Sequence, residues 1–365
     1  MKIAVDAREL AGRPTGVGRY LGELLTEWAA STEARRDDWV LYSHAESQVP
    51  RPFTETLRVL PGDGGTLWEQ WTLGRALARD EPDVLFAPAY TAPLRARCPV
   101  AVTVHDVSFF AHPEWFPPRQ RFRRQVLTRL AATRARLVLT DSTFSRGEIV
   151  RHLRVPVGRI RVVLPGMGVR RAIARDRRKR EPLVLFAGSI FRRRHVDSLI
   201  RAFGRHVAPR VPASTLEIVG ENRAYPPLNL EREVSLLPLE VQRRIAIRSY
   251  VDEDTLMDLY ERASAFAFPS EYEGFGLTPV EALAAGVPPV VLDTPVAVEI
   301  CGPAARYVQN GPALEADLGN AIVQLLTSDI ARQDVLRYAP EVLARYQWGR
   351  AAAETLAVLH EAGSD

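Results

Sequence analysis

Glu273 and Glu281 stand eight positions apart, with Gly274-Phe275-Gly276-Leu277 between them and a helix-like run from Thr278. A carboxylate offers only acceptor oxygens, so each of these side chains suits hydroxyl groups. A glycine loop feeding a helix start leaves backbone N–H groups free at the positive end of the helix dipole. The space between the carboxylates therefore suits a phosphate. Thr278 is expected as the N-cap, Pro279 at the first helical position, and Gly286 with Pro288 at the stop. Glu281, about one turn into the helix, is placed for a ribose. Glu273, before the loop, is placed for a second set of hydroxyls. A phosphate between two hydroxyl-binding carboxylates describes a nucleotide sugar. For the glycine loop and helix alone, an ordinary capped strand–loop–helix is an equal explanation.

Three further groups bear on chemistry. His105-Asp106 closes the apolar run Val100–Val104, where a strand delivers residues to a ligand. Arg192, Arg193 and Arg194 follow a strand-like run ending at Gly188. Fixed positive charge there would stabilise a leaving diphosphate as its bond breaks. Gly16-Val17-Gly18 follows the first strand only after a loop of about ten residues, whereas a dinucleotide fingerprint needs a much tighter turn. A nicotinamide or flavin site is therefore rejected. These glycines suit close backbone approach to donor phosphate or acceptor, with a flexible turn as the alternative. Asp252-Glu253-Asp254 imitates an Asp-x-Asp metal site but reads as the start of a helix, Thr255–Arg262, where acids favour the dipole. No catalytic metal is expected, because arginines and helix dipoles supply the positive charge.

The elements that must position these groups alternate along the chain. Strand-like runs occur at Ile3–Val5, Trp39–Tyr42, Asp83–Phe86, Val100–Val104 and Leu137–Thr140. Helices are expected at Arg19–Ala30 and Pro118–Arg136. After a basic stretch the pattern restarts with Leu183–Ala187, a helix Val196–Phe203, and strands Leu216–Gly220, Ala263–Phe268 and Pro289–Leu292. Such alternation predicts parallel sheets covered by helices, with ligands beyond the strands' carboxyl ends.

A chain of 365 residues with 46% apolar and 25% charged residues accommodates two domains with good cores. No apolar run is long enough to span a bilayer, and the start enters a strand pattern at once without signal-peptide organisation. Cys98 and Cys301 fit no metal or redox spacing, so a cytoplasmic chain with reduced thiols is expected. The net charge of +4 is modest but clustered. In Pro118–Arg136, Phe122, Val126 and Leu130 share a face amid Arg119, Arg121, Arg123, Arg124, Arg129, Arg134 and Arg136. Such a helix suits an anionic membrane surface, or is simply a solvated face beside an apolar stripe. Nucleic-acid binding is disfavoured, since no aromatic platforms interleave the arginines.

The stretch Ser270–Pro288 resembles the Glu-x7-Glu signature of retaining family-4 glycosyltransferases, which have the GT-B fold. Pro14-Thr15-Gly16-Val17-Gly18-Arg19-Tyr20 is similar to that family's first glycine loop. The segment from Val104 to Pro118 resembles the histidine-bearing loop of its mannosyltransferase-like members, and Leu139–Met167 resembles the end of its first domain. Gly188–His195 resembles the segment opening its donor domain, with Arg194 where lysine is usual and His195 where asparagine is common. An arginine keeps the charge but presents a planar fork. Thr294–Glu299 is less polar than the family's donor loop.

The resemblance implies two Rossmann-like parallel-sheet α/β domains facing across a cleft. The expected division is an acceptor-side domain, residues 1–166, a basic linker, 167–182, a donor domain, 183–345, and a helix, 346–365, crossing back. It implies catalytic roles for His105, Arg193, Arg194 and Glu273. Donor-binding roles fall to Gly16, Gly188, Gly220, Tyr250, Val251, Gly274, Phe275, Gly276, Leu277, Thr278 and Glu281. Gly18, Arg19 and Tyr20 fall on the acceptor side. The implied reaction is retaining transfer of a hexose from a nucleotide-diphosphate sugar, GDP-mannose first and UDP-sugars next, to a saccharide or lipid-linked saccharide. The donor is a co-substrate and no cofactor is expected. A cytoplasmic location, with contact to the inner face of the cell membrane through the Arg119–Arg136 helix, is in keeping. A nucleotide-sugar epimerase or phosphorylase of the same fold, and a non-enzymatic nucleotide-sugar sensor, stay open as alternatives.

Overall fold

A computed structural model describes residues 1–12, 16–167 and 180–364. The chain forms two compact units. The first comprises Met1–Ala111, Pro118–Gly168 and Tyr346–Asp365; the second comprises His112–Pro117 and Val169–Arg345.

The first unit is built on a parallel sheet of seven strands: β1 (Lys2–Asp6), β2 (Asp38–Ser43), β3 (Leu57–Val59), β4 (Val84–Ala87), β5 (Val100–Thr103), β6 (Leu137–Thr140) and β7 (Ile160–Val162), in the order β3-β2-β1-β4-β5-β6-β7. Val5 pairs with Leu41 on one side and Phe86 on the other. Side chains alternate between faces along a strand. Ile3 and Val5 join one core with Leu21, Leu24, Leu25 and Trp28 of the helix Gly16–Ala30 and with Leu356 and Leu359 of the helix Trp348–Gly363. Ala4 points the other way, into a core with Leu73, Leu77, Ile149 and Leu153. Both faces are thus covered, which is why the interiors of the central strands read as nearly continuous apolar runs. Each fully buried Leu of this kind stabilises the fold by about 1.5–3 kcal/mol.

The terminal helix is fixed in this unit by a close approach. A Cβ on Gly166 would lie 2.3 Å from the backbone nitrogen of Trp348. The Trp28 indole N–H donates to the Ala352 carbonyl at 2.9 Å.

The second unit repeats the design with β8 (Leu183–Ala187), β9 (Thr215–Val219), β10 (Ile245–Arg248), β11 (Ala265–Phe268), β12 (Pro289–Leu292) and β13 (Arg306–Val308), in the order β10-β9-β8-β11-β12-β13, all parallel. In both sheets the strand order reverses beside the first strand, between β1 and β4 and between β8 and β11. Ligand sites of open α/β sheets form at such points.

The basic stretch before β8 falls largely on residues 168–179, which lie outside the described residues. Arg180, at its end, donates to the carbonyls of Tyr260 at 2.7 Å, Ala263 at 2.9 Å and Ala285 at 2.6 Å. It satisfies the carbonyl ends of the helices Glu253–Arg262 and Leu277–Ala284, where cations are favoured.

The arginine-rich helix runs from Pro118 to Arg134. It buries Thr128, Ala131 and Ala132, while Phe122 is 68% and Val126 38% exposed. The apolar stripe read from the sequence therefore faces outward, and small side chains make the packing face.

Candidate active site

In the second unit the signature segment leaves β11 and enters the helix Leu277–Ala284. The sequence places Thr278 at the N-cap; the structure places Gly276 there, with φ 94°. Thr278 lies within the first turn and its hydroxyl is buried without a hydrogen-bond partner among the described residues. Glycine takes the left-handed conformation without a Cβ penalty, so the chain reverses at Gly276 and the helix starts before the threonine. The stop is as expected: the helix ends at Ala284, and Gly286 follows with φ 70°. Gly274 and Phe275 are buried, whereas Leu277 and Glu281 are half-buried.

Glu273 is the centre of an ion cluster. Arg194 donates to it through Nε at 2.6 Å and Nη2 at 3.0 Å, one bond to each carboxylate oxygen, and Ser270 Oγ donates at 2.8 Å. The third arm of the Arg194 fork donates to the Ser189 carbonyl at 2.7 Å. Burial pushes the Glu273 carboxyl up, but Arg194 and then Arg193 more than offset it and hold it below its ordinary value.

The two arginines differ in what they have left to give. Arg194 is committed to a carboxylate and a carbonyl. Arg193 is 8% exposed, its Nη2 lies 4.0 Å from Glu273, and its Nε is buried with no partner among the described residues. Its guanidinium packs over Phe191 at 4.5 Å and Trp115 at 6.0 Å. Trp115 stacks on His112 at 3.9 Å, and His112 meets the edge of Tyr272 at 5.3 Å. An arginine desolvated by aromatic faces, with bonding capacity in hand, is prepared for an anion.

His195 takes φ 44°, a left-handed conformation in which asparagine and histidine are both enriched. A histidine is therefore accommodated at this turn. Its Nε2 lies 3.4 Å from Glu271, whose other contacts are Asn310 Nδ2 at 2.9 Å and its own N–H donating to the Arg193 carbonyl at 2.8 Å. Gly188 and Gly220 end β8 and β9. A Cβ on Gly220 would fall 1.9 Å from the Gly188 carbonyl oxygen. Tyr250, in the loop after β10, is 68% exposed, and Val251 is half-buried. Asp252 accepts from the Thr255 N–H at 2.7 Å and caps its helix. Thr294 caps the helix Pro295–Cys301.

In the first unit, Pro14 and Thr15 lie outside the described residues. The helix expected from Arg19 begins at Gly16, so Gly16 and Gly18 occupy its first turn rather than a loop. Gly16 has open space where a Cβ would be. Arg19 is exposed; Tyr20 is buried, its ring edge-to-face with His105 at 5.1 Å between ring centres. His105 sits beyond β5 with Nδ1 2.6 Å from Asp141 Oδ2 and Nε2 2.9 Å from the Pro88 carbonyl oxygen. Asp106 receives Tyr90 O–H at 3.1 Å and the Ser108 N–H at 2.7 Å, which ties down the loop after β5.

Several site residues escaped the sequence reading. Asp141 closes β6, and Ser270 supports Glu273. Buried Asp6 and Glu69 form a network with half-buried Arg8 and Thr91 at the end of β1, in which Arg8 and Thr91 both donate to Glu69. Burial pushes the Asp6 carboxyl up to about 6, against the pull of Arg8. The available signal was a polar residue ending an apolar strand, at Asp6 and Asp141 alike.

Comparison with known proteins decides what the site belongs to. Residues 14–171 match the family model Glycosyltransferase Family 4, and residues 171–342 match Glycosyl transferases group 1. The chain is a family-4-like glycosyltransferase. This glycosyltransferase is 26% identical to O-antigen chain mannosyltransferase B of Escherichia coli, with 98% of each chain covered. Its fold resembles that of Anabaena HepE, solved with UDP and glucose, with a TM-score of 0.73, 18% identity and coverage of 99% and 100%. It also resembles sucrose-phosphate synthase of Thermosynechococcus elongatus, with a TM-score of 0.74, 18% identity and coverage of 99% and 98%. These likenesses establish the GT-B fold for the glycosyltransferase.

Proposed function

We propose that this glycosyltransferase moves a hexose from a nucleotide-diphosphate sugar to a hydroxyl of a saccharide or lipid-linked saccharide, with retention at the anomeric carbon and without a metal. GDP-mannose is the favoured donor and UDP-sugars come next. The carrying observation is the Glu273–Arg194–Ser270 cluster with the partly unpartnered, desolvated Arg193 beside it. Similarity to a protein named a mannosyltransferase supports the sugar, and a neighbour solved with UDP and glucose supports a nucleotide-sugar site.

In this reading the diphosphate lies at the start of the helix Leu277–Ala284, with Gly274, Phe275, Gly276, Leu277 and Thr278 around it. Arg193 takes the charge that grows on the leaving oxygen as the anomeric bond breaks. Arg194, neutralised by Glu273, positions that carboxylate toward sugar hydroxyls. Glu281 receives the ribose, and Tyr250 and Val251 receive the base. The acceptor hydroxyl adds on the face the diphosphate leaves, and a departing phosphate oxygen takes its proton. His105 contacts the donor sugar, Gly16 approaches donor phosphate, and Gly18, Arg19 and Tyr20 lie toward the acceptor. A thermal-shift screen with GDP-mannose, UDP-glucose, UDP-N-acetylglucosamine, GDP and UDP tests the donor. Binding to the native state raises the melting temperature, so guanosine ligands are expected to shift it most. No shift with any of them would count against the proposed site.

We also propose that the outward face of the helix Pro118–Arg134 meets an anionic membrane. Phe122 and Val126 are exposed there amid Arg119, Arg123, Arg129 and Arg134, and the helix carries no acidic residue. Among the described residues no helix is long and apolar enough to cross a membrane, so contact would be at the surface. The protein is expected to co-sediment with phosphatidylglycerol vesicles and not with phosphatidylcholine vesicles. Phe122→Ser with Val126→Ser should weaken that binding. Equal binding by wild type and variant would remove the helix from the interface.

A further inference from the structure

Both ring nitrogens of His105 face acceptors. The Pro88 carbonyl, 2.9 Å from Nε2, can only accept. The other partner, Asp141 Oδ2, lies 2.6 Å from Nδ1 on a side chain that is 8% exposed. A neutral imidazole carries one N–H. In either tautomer one nitrogen would aim its lone pair at an oxygen lone pair, in a buried place where such repulsion is not screened by water. Moving the second proton to Asp141 would place it on the more acidic of the two groups. Only the imidazolium satisfies both contacts with ordinary proton affinities.

The surroundings agree. The titratable groups facing the ring among the described residues are Asp141 at the end of β6, the adjacent Asp106, and the phenols of Tyr20 and Tyr90. Burial pushes both phenols up, so they stay neutral. Burial alone would push the imidazole down, but Asp141 outweighs it and raises the group above its ordinary value. Asp141 Oδ1 is buried with no partner among the described residues, so its charge is directed at the ring with little competition. Ser145 Oγ donates to the His105 carbonyl at 3.0 Å and fixes the backbone.

We infer that His105 is a fixed imidazolium at neutral pH, and that Asp141 is the positioning residue that keeps it so. A ring without a lone pair cannot take a proton from the acceptor hydroxyl. It can only donate, so its substrate partner is an oxygen, reached when Nε2–H exchanges the Pro88 carbonyl for a sugar hydroxyl or phosphate oxygen. This assignment of a substrate partner rests on the donor-sugar role proposed above; the charge state does not.

The test is nitrogen NMR of protein labelled at its seven histidines, with the His105 signals identified by their loss in His105→Gln. At pH 7.5 the wild type is expected to show both His105 nitrogens protonated. In Asp141→Asn, which keeps the shape and loses the charge, burial then prevails and the ring should be neutral at that pH. A neutral His105 in the wild type, or the same titration in both proteins, would overturn the inference. Activity supplies a second reading. Wild-type kcat/KM should carry no histidine titration between pH 6 and 8. Asp141→Asn should lose activity as pH rises through that range, and Asp141→Glu should restore part of the flat profile. Loss of activity by one factor at every pH would mean that Asp141 is merely structural. A doubly protonated ring in a protein with no transferase activity would leave the charge state standing and remove its proposed use.

Linkage predicts a stability trend of the same sign. A group raised on folding contributes its full stability below its ordinary value of 6.5 and loses it as pH rises through the raised native value. The melting-temperature gap between wild type and Asp141→Asn should therefore narrow toward alkaline pH.

Discussion

Arg193→Ala is expected to lower kcat/KM by about 100- to 1,000-fold, the usual loss when a preorganised donor to a developing anion is removed. The reason is the contrast with Arg194. Arg193 is desolvated by Phe191 and Trp115 and keeps an unpartnered Nε, whereas Arg194 is tied to Glu273 and the Ser189 carbonyl. The fold should survive the change, because Glu273 keeps its two bonds from Arg194. Arg194→Ala should behave differently. It takes the two-pronged bond from a carboxylate that keeps only Ser270 and, at 4.0 Å, Arg193, and breaking such a pair destabilises by up to about 3–5 kcal/mol. Steady-state kinetics beside thermal unfolding separates the two variants. An Arg193→Ala protein within about threefold of wild-type kcat/KM would take Arg193 out of the reaction.

The largest purely structural effect is expected at Gly220. An added Cβ would meet the Gly188 carbonyl oxygen at 1.9 Å and its carbon at 2.7 Å. Both are backbone atoms, so no rotamer change relieves the clash. The ends of β8 and β9 must part, and with them the turn that carries Arg193 and Arg194. Gly220→Ala is expected to destabilise by about 3 kcal/mol or more, at or above the top of the usual overpacking cost, because the backbone itself must move. Gly147, in the helix Thr143–Leu153, has nothing within 4 Å of its would-be Cβ. Gly147→Ala should be neutral or stabilising by up to about 1 kcal/mol. Thermal unfolding of the pair checks this, and similar melting temperatures for both would contradict the close approach.

Much of the architecture was legible because the central strands are buried on both faces and read as continuous apolar runs. The runs at Ile3–Val5, Leu137–Thr140, Leu183–Ala187 and Pro289–Leu292 all became strands. The strands that went unread, β3, β7, β10 and β13, are the outer ones of their sheets. An edge strand is short and partly solvated, so Leu57-Arg58-Val59 or Arg306-Tyr307-Val308 carries too little apolar signal to stand out. The N-cap at Gly276 lies two residues before the one read from sequence, because Thr278 and Pro279 make a convincing cap there. What decided the matter was a left-handed glycine, a property of the turn rather than of the residues that follow.

The candidate site was legible where chemistry and chain order coincide. Glu273, Arg193 and Arg194 were singled out from their local context, and the structure gathers them in one cluster. Partners distant in sequence were not legible. Asp141 meets His105 from the neighbouring strand, and nothing in either local stretch announces the other. The division of labour between Arg193 and Arg194 likewise depends on which of two adjacent forks reaches a carboxylate, and sequence order does not specify that.

The most direct measurement is the anomeric configuration of the first product. The protein would be incubated with GDP-mannose and a panel of aryl hexosides as acceptors, and the anomeric proton followed by NMR. The expected result is a disaccharide with the donor's configuration, formed in the presence of a chelator and without added phosphate. An inverted product, an epimerised nucleotide sugar formed without acceptor, or a strict need for phosphate would contradict retaining transfer.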